Sequence, residues 1–141
     1  MSMTSCIPQS AKLAFLSGTF LPGDTYKVAL YLGQSYGPTT TSYQTSGEVA
    51  NGSGYTTGGA TLAGYSSGSD TNGGWITWTN PSWSGATFSA DGAIIYDASQ
   101  SGNPIVAVIA FSGGAQSVSS GTFTIQFPSP ASGTNAIITL D

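Results

Sequence analysis

The sequence predicts an all-β domain, an antiparallel β-sandwich of which the jelly roll is one form, with one short N-terminal helix. Three observations predict it. The run Pro104-Ile105-Val106-Ala107-Val108-Ile109-Ala110-Phe111 is apolar on both sides of a strand, with Ile105, Ala107, Ile109 and Phe111 on one face and Val106, Val108 and Ala110 on the other. It is too short for a membrane helix, which takes about 20 residues, and too β-branched for a soluble one. Its partner is Gly92-Ala93-Ile94-Ile95-Tyr96-Asp97, joined to it through Ala98 to Asn103, a stretch of turn-tolerant residues. Third, about eight short segments of this kind recur at a spacing of roughly 8–12 residues, separated by Gly, Asn and Pro clusters.

In chain order, residues 1–10 read as a flexible N-terminal segment and 11–141 as a single domain. Ser10 is placed to cap a short helix whose Leu13, Leu16 and Phe20 form an apolar stripe, stopped by Gly18 and Pro22-Gly23. Thr25 to Leu32 alternates, Tyr26, Val28, Leu30 and Leu32 against Lys27, Ala29 and Tyr31, and reads as the first strong strand. Gly33 to Gly54 has little periodicity and reads as a long surface connection. A weaker strand from Gly54 to Ala63 is interrupted by Gly58-Gly59, as a bulge or bend would require. Ser66 to Gly74 is turn chemistry and reads as a loop tip.

Trp75 to Trp78 is the next strand, ended by Asn80-Pro81, and Ala86 to Ala90 leads into the central pair. After a turn at Ser112 to Gln116, Gly121 to Phe127 alternates with Phe123, Ile125 and Phe127 inward, a strand with one wet face closed by Pro128 and Pro130. Asn135 to Leu140 is the last strand.

Charged residues make up only 6% of the chain, against about 25% in an average soluble domain. The surface is therefore solvated by hydroxyls, amides and glycine backbone. Lys12 and Lys27 are the only cations and the formal net charge is -4, so the chain has no means of neutralising phosphates and nucleic-acid binding is not expected. Cys6 has no partner for an internal disulfide. The first residues lack a basic region ahead of an apolar stretch, so no secretory signal and no membrane span are expected, and synthesis in a cytoplasm leaves the Asn51-Gly52-Ser53 sequon idle.

There is no histidine, which removes the commonest general base and most nucleophile triads and metal sites. Gly52 to Gly59 is glycine-rich but lacks the Lys-Ser or Lys-Thr of a phosphate cradle. Asp70-Thr71-Asn72-Gly73 resembles the start of a calcium loop, yet Pro81 stands where the bidentate Glu belongs, so it reads as an Asx turn. Glu48, Asp91 and Asp97 are the acids to consider for a glycosidase pair, and nothing in their spacing selects two of them. No catalytic residue, metal ligand or cofactor is expected. Aromatics are the stronger signal. Trp75, Trp78 and Trp83 with Tyr31, Tyr36, Tyr43, Tyr55 and Tyr65 suit core packing, a sugar-stacking platform or a protein interface. Trp78, Trp83, Tyr36, Tyr43 and Tyr55 are the expected contact residues, with adaptable contacts from the N-terminal segment and the Gly33 to Gly54 connection.

The order of segments carries a resemblance. Lys12-Leu13-Ala14-Phe15-Leu16 with Gly18-Thr19, Asp24 to Tyr31, Gly47-Glu48-Val49, Gly54 to Gly59, Gly92 to Tyr96, Phe123 to Pro128 and Asn135-Ala136-Ile137 together resemble a family of small virion proteins of tailed bacteriophages. The match spans nearly the whole chain but includes no motif of chemical specificity, so no functional residue transfers by position. The resemblance implies a non-enzymatic capsid cement or decoration protein, located on the virion's capsid surface. Its partner would be the major capsid protein, and it would act as a homo-oligomer, dimer or trimer. The alternative from a different class is a carbohydrate- or receptor-binding β module of a phage tail or fibre.

Overall fold

The structure, a computed structural model, describes residues 3–70, 73–127 and 138–140. One helix, α1 (Gln9–Leu16), precedes the strands β1 (Tyr26–Tyr31), β2 (Ala60–Thr61), β3 (Ser66–Asp70), β4 (Gly73–Thr77), β5 (Ser82–Ala90), β6 (Gly92–Asp97), β7 (Ile105–Ala110), β8 (Gln116–Thr124) and β9 (Ile138–Leu140). All pairings are antiparallel, in sheets of order β2-β1-β6-β7, β3-β4-β9 and β5-β8. The class is all-β, as the sequence predicts. These pairings do not by themselves define a two-sheet sandwich or a jelly roll.

The β6–β7 hairpin and β1 beside it form the centre. Tyr26↔Asp97 through Tyr31↔Gly92 run in unbroken register, and alternation along β1 sends Tyr26, Val28 and Leu30 to one core and Ala29 and Tyr31 to the other. Both faces of this sheet are dry. Val28, Leu30, Ile94 and Ile95 are all fully buried, and each such side chain contributes roughly 1.5–3 kcal/mol by leaving water. β7 departs from the expected alternation. Ile95 pairs with Ala107 but Tyr96 pairs with Ile105, so Val106 is an inserted residue. This bulge turns Val106 and Ala107 into the same core and puts Ile105 in the opposite one, away from Ala107 and Ile109.

Asp91 alone links β5 to β6, so the long hairpin bends there and its far half becomes the β5-β8 ribbon. Three hydrogen bonds fix the corner: the Asp91 N–H donates to the Tyr31 carbonyl at 2.8 Å, Phe111 N–H donates to the Asp91 carbonyl at 3.0 Å, and Gly33 N–H donates to the Asp91 side chain, at Oδ2, at 2.9 Å. The ribbon brings Trp83, Ala86, Ala90 and Phe123 onto the first face of the central sheet, joined by Tyr55, Leu62 and Trp78. Met3 covers the second face with Cys6, Tyr36 and Tyr43 at its margin.

An unpaired β7 would be an aggregation-prone edge. Two segments cover it. Cys6 and Val108 exchange both backbone hydrogen bonds, at 3.0 and 2.9 Å, and further along the Ile105 N–H donates to the Thr41 carbonyl at 3.1 Å while Tyr43 N–H donates to that of Asn103 at 3.0 Å. Within the segment expected to be flexible, residues 1–10, Met3 is buried and Pro8 fully so, Cys6 bridges to β7, and Gln9 and Ser10 already belong to α1.

Helix α1 starts at Pro8, whose carbonyl accepts the Lys12 N–H, and no side chain caps it. Ser10 lies inside the helix with its hydroxyl buried and unpartnered, which corrects the expected cap. The helix ends in a Schellman motif, with Thr19 N–H to the Ala14 carbonyl at 2.9 Å, Gly18 N–H to that of Phe15 at 3.3 Å and Gly18 at φ 76°. Ala11 is the buried residue of the helix, and Phe15 four residues on, with Ile7 just ahead of the helix, is half-buried against the core. Leu13 and Leu16 face outward.

The expected loop tip at Ser66 to Gly74 is a hairpin instead, Ser66↔Thr77 to Asp70↔Gly73, held by backbone pairing that a Ser/Gly run does not advertise. β8 begins at Gln116, earlier than expected, and Ile125 continues its pairing through an N–H to the Pro81 carbonyl at 3.1 Å. Of the expected last strand, Ile138 to Leu140 is present; Asn135 to Ile137, the closing prolines and the Thr71-Asn72 part of the calcium-like stretch lie outside the described residues.

Candidate interaction surface

Three of the five expected contact residues are core. Trp78, Trp83 and Tyr55 are 4%, 6% and 2% exposed. Tyr55 stacks near Trp83 with centroids 6.3 Å apart, and Trp78 meets Tyr26 at 5.3 Å, so these rings are spent on packing between the sheets. The expectation that they form a contact surface is corrected. Tyr36 and Tyr43 remain half-buried, and their hydroxyls are engaged internally, with the Ser46 carbonyl at 2.7 Å and with Glu48 Oε2.

A general pattern lies behind this. Tyr31, Tyr36, Tyr43, Tyr55 and Tyr96 all aim their hydroxyls at the connection between β1 and β2. Tyr31 donates to the Gln44 carbonyl at 2.6 Å and Tyr96 to that of Gly58 at 2.6 Å. Tyr55 accepts the Leu30 N–H at 3.0 Å and donates to Glu48 Oε1 at 2.7 Å, where the Gly58 N–H also arrives at 2.7 Å. Burial, joined by the Glu48 charge, pushes Tyr31, Tyr43 and Tyr55 well above the ordinary phenol range and Tyr96 up to about 12. These hydroxyls stay protonated as donors at any working pH. The Gly33 to Gly54 connection, expected to supply adaptable contacts, is thereby tied to the sheet beneath it.

The acids divide in the same way. Glu48 serves the tyrosine cluster, Asp91 holds the corner, and Asp97 is buried at the end of β6 beside Asp24. Among the described residues no three of His, Cys, Asp and Glu come together as a metal site would need. Sequence reasoning passed over Asp24, because only the β1–β6 pairing brings it to Asp97.

On the outside the prominent feature is apolar. Leu13 and Leu16, at i and i+3 on α1, are 66% and 85% exposed, and Leu21 in the turn before β1 is 50% exposed. The stripe read from the sequence, Leu13, Leu16 and Phe20, divides: Phe20 packs against the core while Leu13 and Leu16 point out, and Ala11 with Phe15 four residues on is the spacing that marks the packed side of α1. An open groove of about 590 Å³ between β7 and β8 has Phe111, Val118 and Phe123 in its lining with Ser117, Thr122 and Gln126. None of the residues lining it is charged. No helix among the described residues is long and apolar enough to cross a membrane.

Comparison with protein-family models, with curated proteins and with solved structures finds no match to this chain.

Proposed function

We propose that this chain is a non-enzymatic structural protein of a bacteriophage virion, a cement or decoration protein that binds the outside of the head shell and stabilises contacts between capsomers. The single observation that carries the reading is the division of chemistry between inside and outside: Glu48, Asp91, Asp97 and the hydroxyls of Tyr26, Tyr31, Tyr36, Tyr43, Tyr55 and Tyr96 make internal hydrogen bonds, while α1 offers Leu13 and Leu16 to its surroundings. The segment-by-segment resemblance to small virion proteins supports it, as does a surface almost free of charge, whose contacts salt does not screen. The partner is the major capsid protein, and the leucine face of α1 is the contact surface. Modest single contacts suffice when many copies, or a dimer or trimer, engage one shell at once.

The test mixes purified protein with expanded, undecorated heads and pellets them. Saturable co-sedimentation supports the reading, and its absence removes it. The alternative, a sugar- or receptor-binding module, loses its platform with Trp78 and Trp83 in the core; a glycan array that returned a specific ligand would restore it.

A further inference from the structure

Asp97 closes β6 with no exposed surface. Its Oδ1 accepts the Ser99 N–H at 2.9 Å, but its Oδ2 is buried and meets no donor. The group brought against it is the carboxyl of Asp24, from the turn ahead of β1: Asp24 accepts from Gln100, and its neighbour Thr25 is bonded to both Ala98 and Ser99, on the turn that Asp97 opens. Asp24 Oδ2 already accepts the Leu21 N–H at 3.3 Å and Gln100 Nε2 at 2.9 Å. Two acceptors face each other. Such a contact is repulsive unless a proton or a cation sits in it.

Hard cations collect six to eight oxygens, whereas here the other oxygens of both carboxylates are occupied by N–H donors. One proton fits the arrangement better. We propose that Asp24 and Asp97 form a proton-operated latch, a carboxylic acid hydrogen-bonded to a carboxylate, that clamps the segment leading into β1 to the turn following β6 and loosens when the shared proton leaves. The same two segments are joined by Thr25 N–H to Ser99 Oγ at 2.7 Å and Ala98 N–H to the Thr25 carbonyl at 2.8 Å, so the pair sits inside a small cooperative junction.

The titratable groups facing Asp97 are Asp24 and Tyr26, with Tyr65 beyond Tyr26; Lys27 lies on the opposite face of β1. Burial first, and the Asp24 contact second, raise Asp97 to about 7, while the hydrogen bond from Asp97 first and that from Gln100 second lower Asp24. The proton therefore belongs to Asp97. Above about pH 7 both groups carry charge, and the junction that positions Leu21, through its N–H on Asp24 and its carbonyl on the Tyr26 hydroxyl at 2.8 Å, is strained apart. The latch stands on this geometry and is independent of the proposed capsid role.

Carboxyl carbon NMR titration of the wild-type protein tests it, together with amide hydrogen exchange at Leu21, Thr25 and Ser99. The expected result is an Asp97 resonance with its midpoint near 7 and protection at those amides that falls about tenfold between pH 5.5 and 8, beyond the intrinsic rate change. Asp97→Asn, whose amide donates to Asp24 as the protonated acid does, is expected to keep that protection at pH 8. Titration of Asp97 in the ordinary carboxyl range, or pH-independent protection in the wild type, overturns the proposal. So does restoration of protection at pH 8 by calcium chloride, which makes the pair a cation site.

Discussion

The Tyr55 hydroxyl lies 2.7 Å from Glu48 Oε1 and 3.0 Å from the Leu30 amide, so one phenol joins a carboxylate in the long connection to the backbone of the central strand. Tyr55→Phe leaves the buried Leu30 N–H without its acceptor and Glu48 without one of its donors. The expected loss is about 1–3 kcal/mol, read from urea unfolding midpoints. Tyr36→Phe, at a less buried site with a single bond to the Ser46 carbonyl, is expected to cost about 0.5–1.5 kcal/mol.

Gly59 sits at φ 83°, and a Cβ there would run into the Val28 carbonyl of β1. Gly59→Ala is expected to destabilise by well over about 1 kcal/mol, because neither backbone can give way. Gly18 has a similar φ of 76° but open space around it; its Ala variant carries only the left-handed penalty of roughly 1 kcal/mol. Thermal unfolding of the two variants side by side separates collision from conformational strain.

Trp83→Ala empties a site between the ribbon and the central sheet, where the indole meets Tyr55 and Phe123. The expected cost is about 3–5 kcal/mol. Denaturant unfolding checks this, and a near-neutral result would place the ring at the surface after all.

Stability should depend on pH with a definite sign. Asp97 holds its proton more tightly folded than unfolded, so between 3.8 and about 7 the native state carries the extra proton and stability falls as pH rises. Asp24 is displaced downward, and its contribution is lost as pH falls below 3.8. Melting temperature is thus expected to peak at about pH 4–5, decline toward neutrality and level off above it. Asp97→Asn is expected to flatten the decline.

The parts of this fold legible in the sequence are those in which apolar residues mark the period. The β6–β7 pair, its turn and the alternation of Tyr26 to Tyr31 could be read because both faces are buried. Ser66 to Asp70 and the first half of β8 could not, since Ser and Gly carry no hydropathy signal and only backbone pairing makes them strands. The bulge at Val106 inverted half a strand without any mark in the sequence. Aromatics were the main trap: Trp and Tyr suit a core and a surface equally, and burial of Trp78, Trp83 and Tyr55 follows from sheets that pair across long separations. The Asp24–Asp97 contact was hidden for the same reason.

Under the proposed function, the exposed leucines of α1 are where this protein meets a viral shell. Leu13→Ser with Leu16→Ser removes apolar surface that is already exposed, and is expected to change folding stability by about 0.5 kcal/mol or less. Quantitative sedimentation with expanded heads, comparing wild type with this double variant, is the most direct measurement. Saturable wild-type binding, abolished in an equally stable variant, is the expected result; equal binding by both proteins, or none by either, contradicts the account.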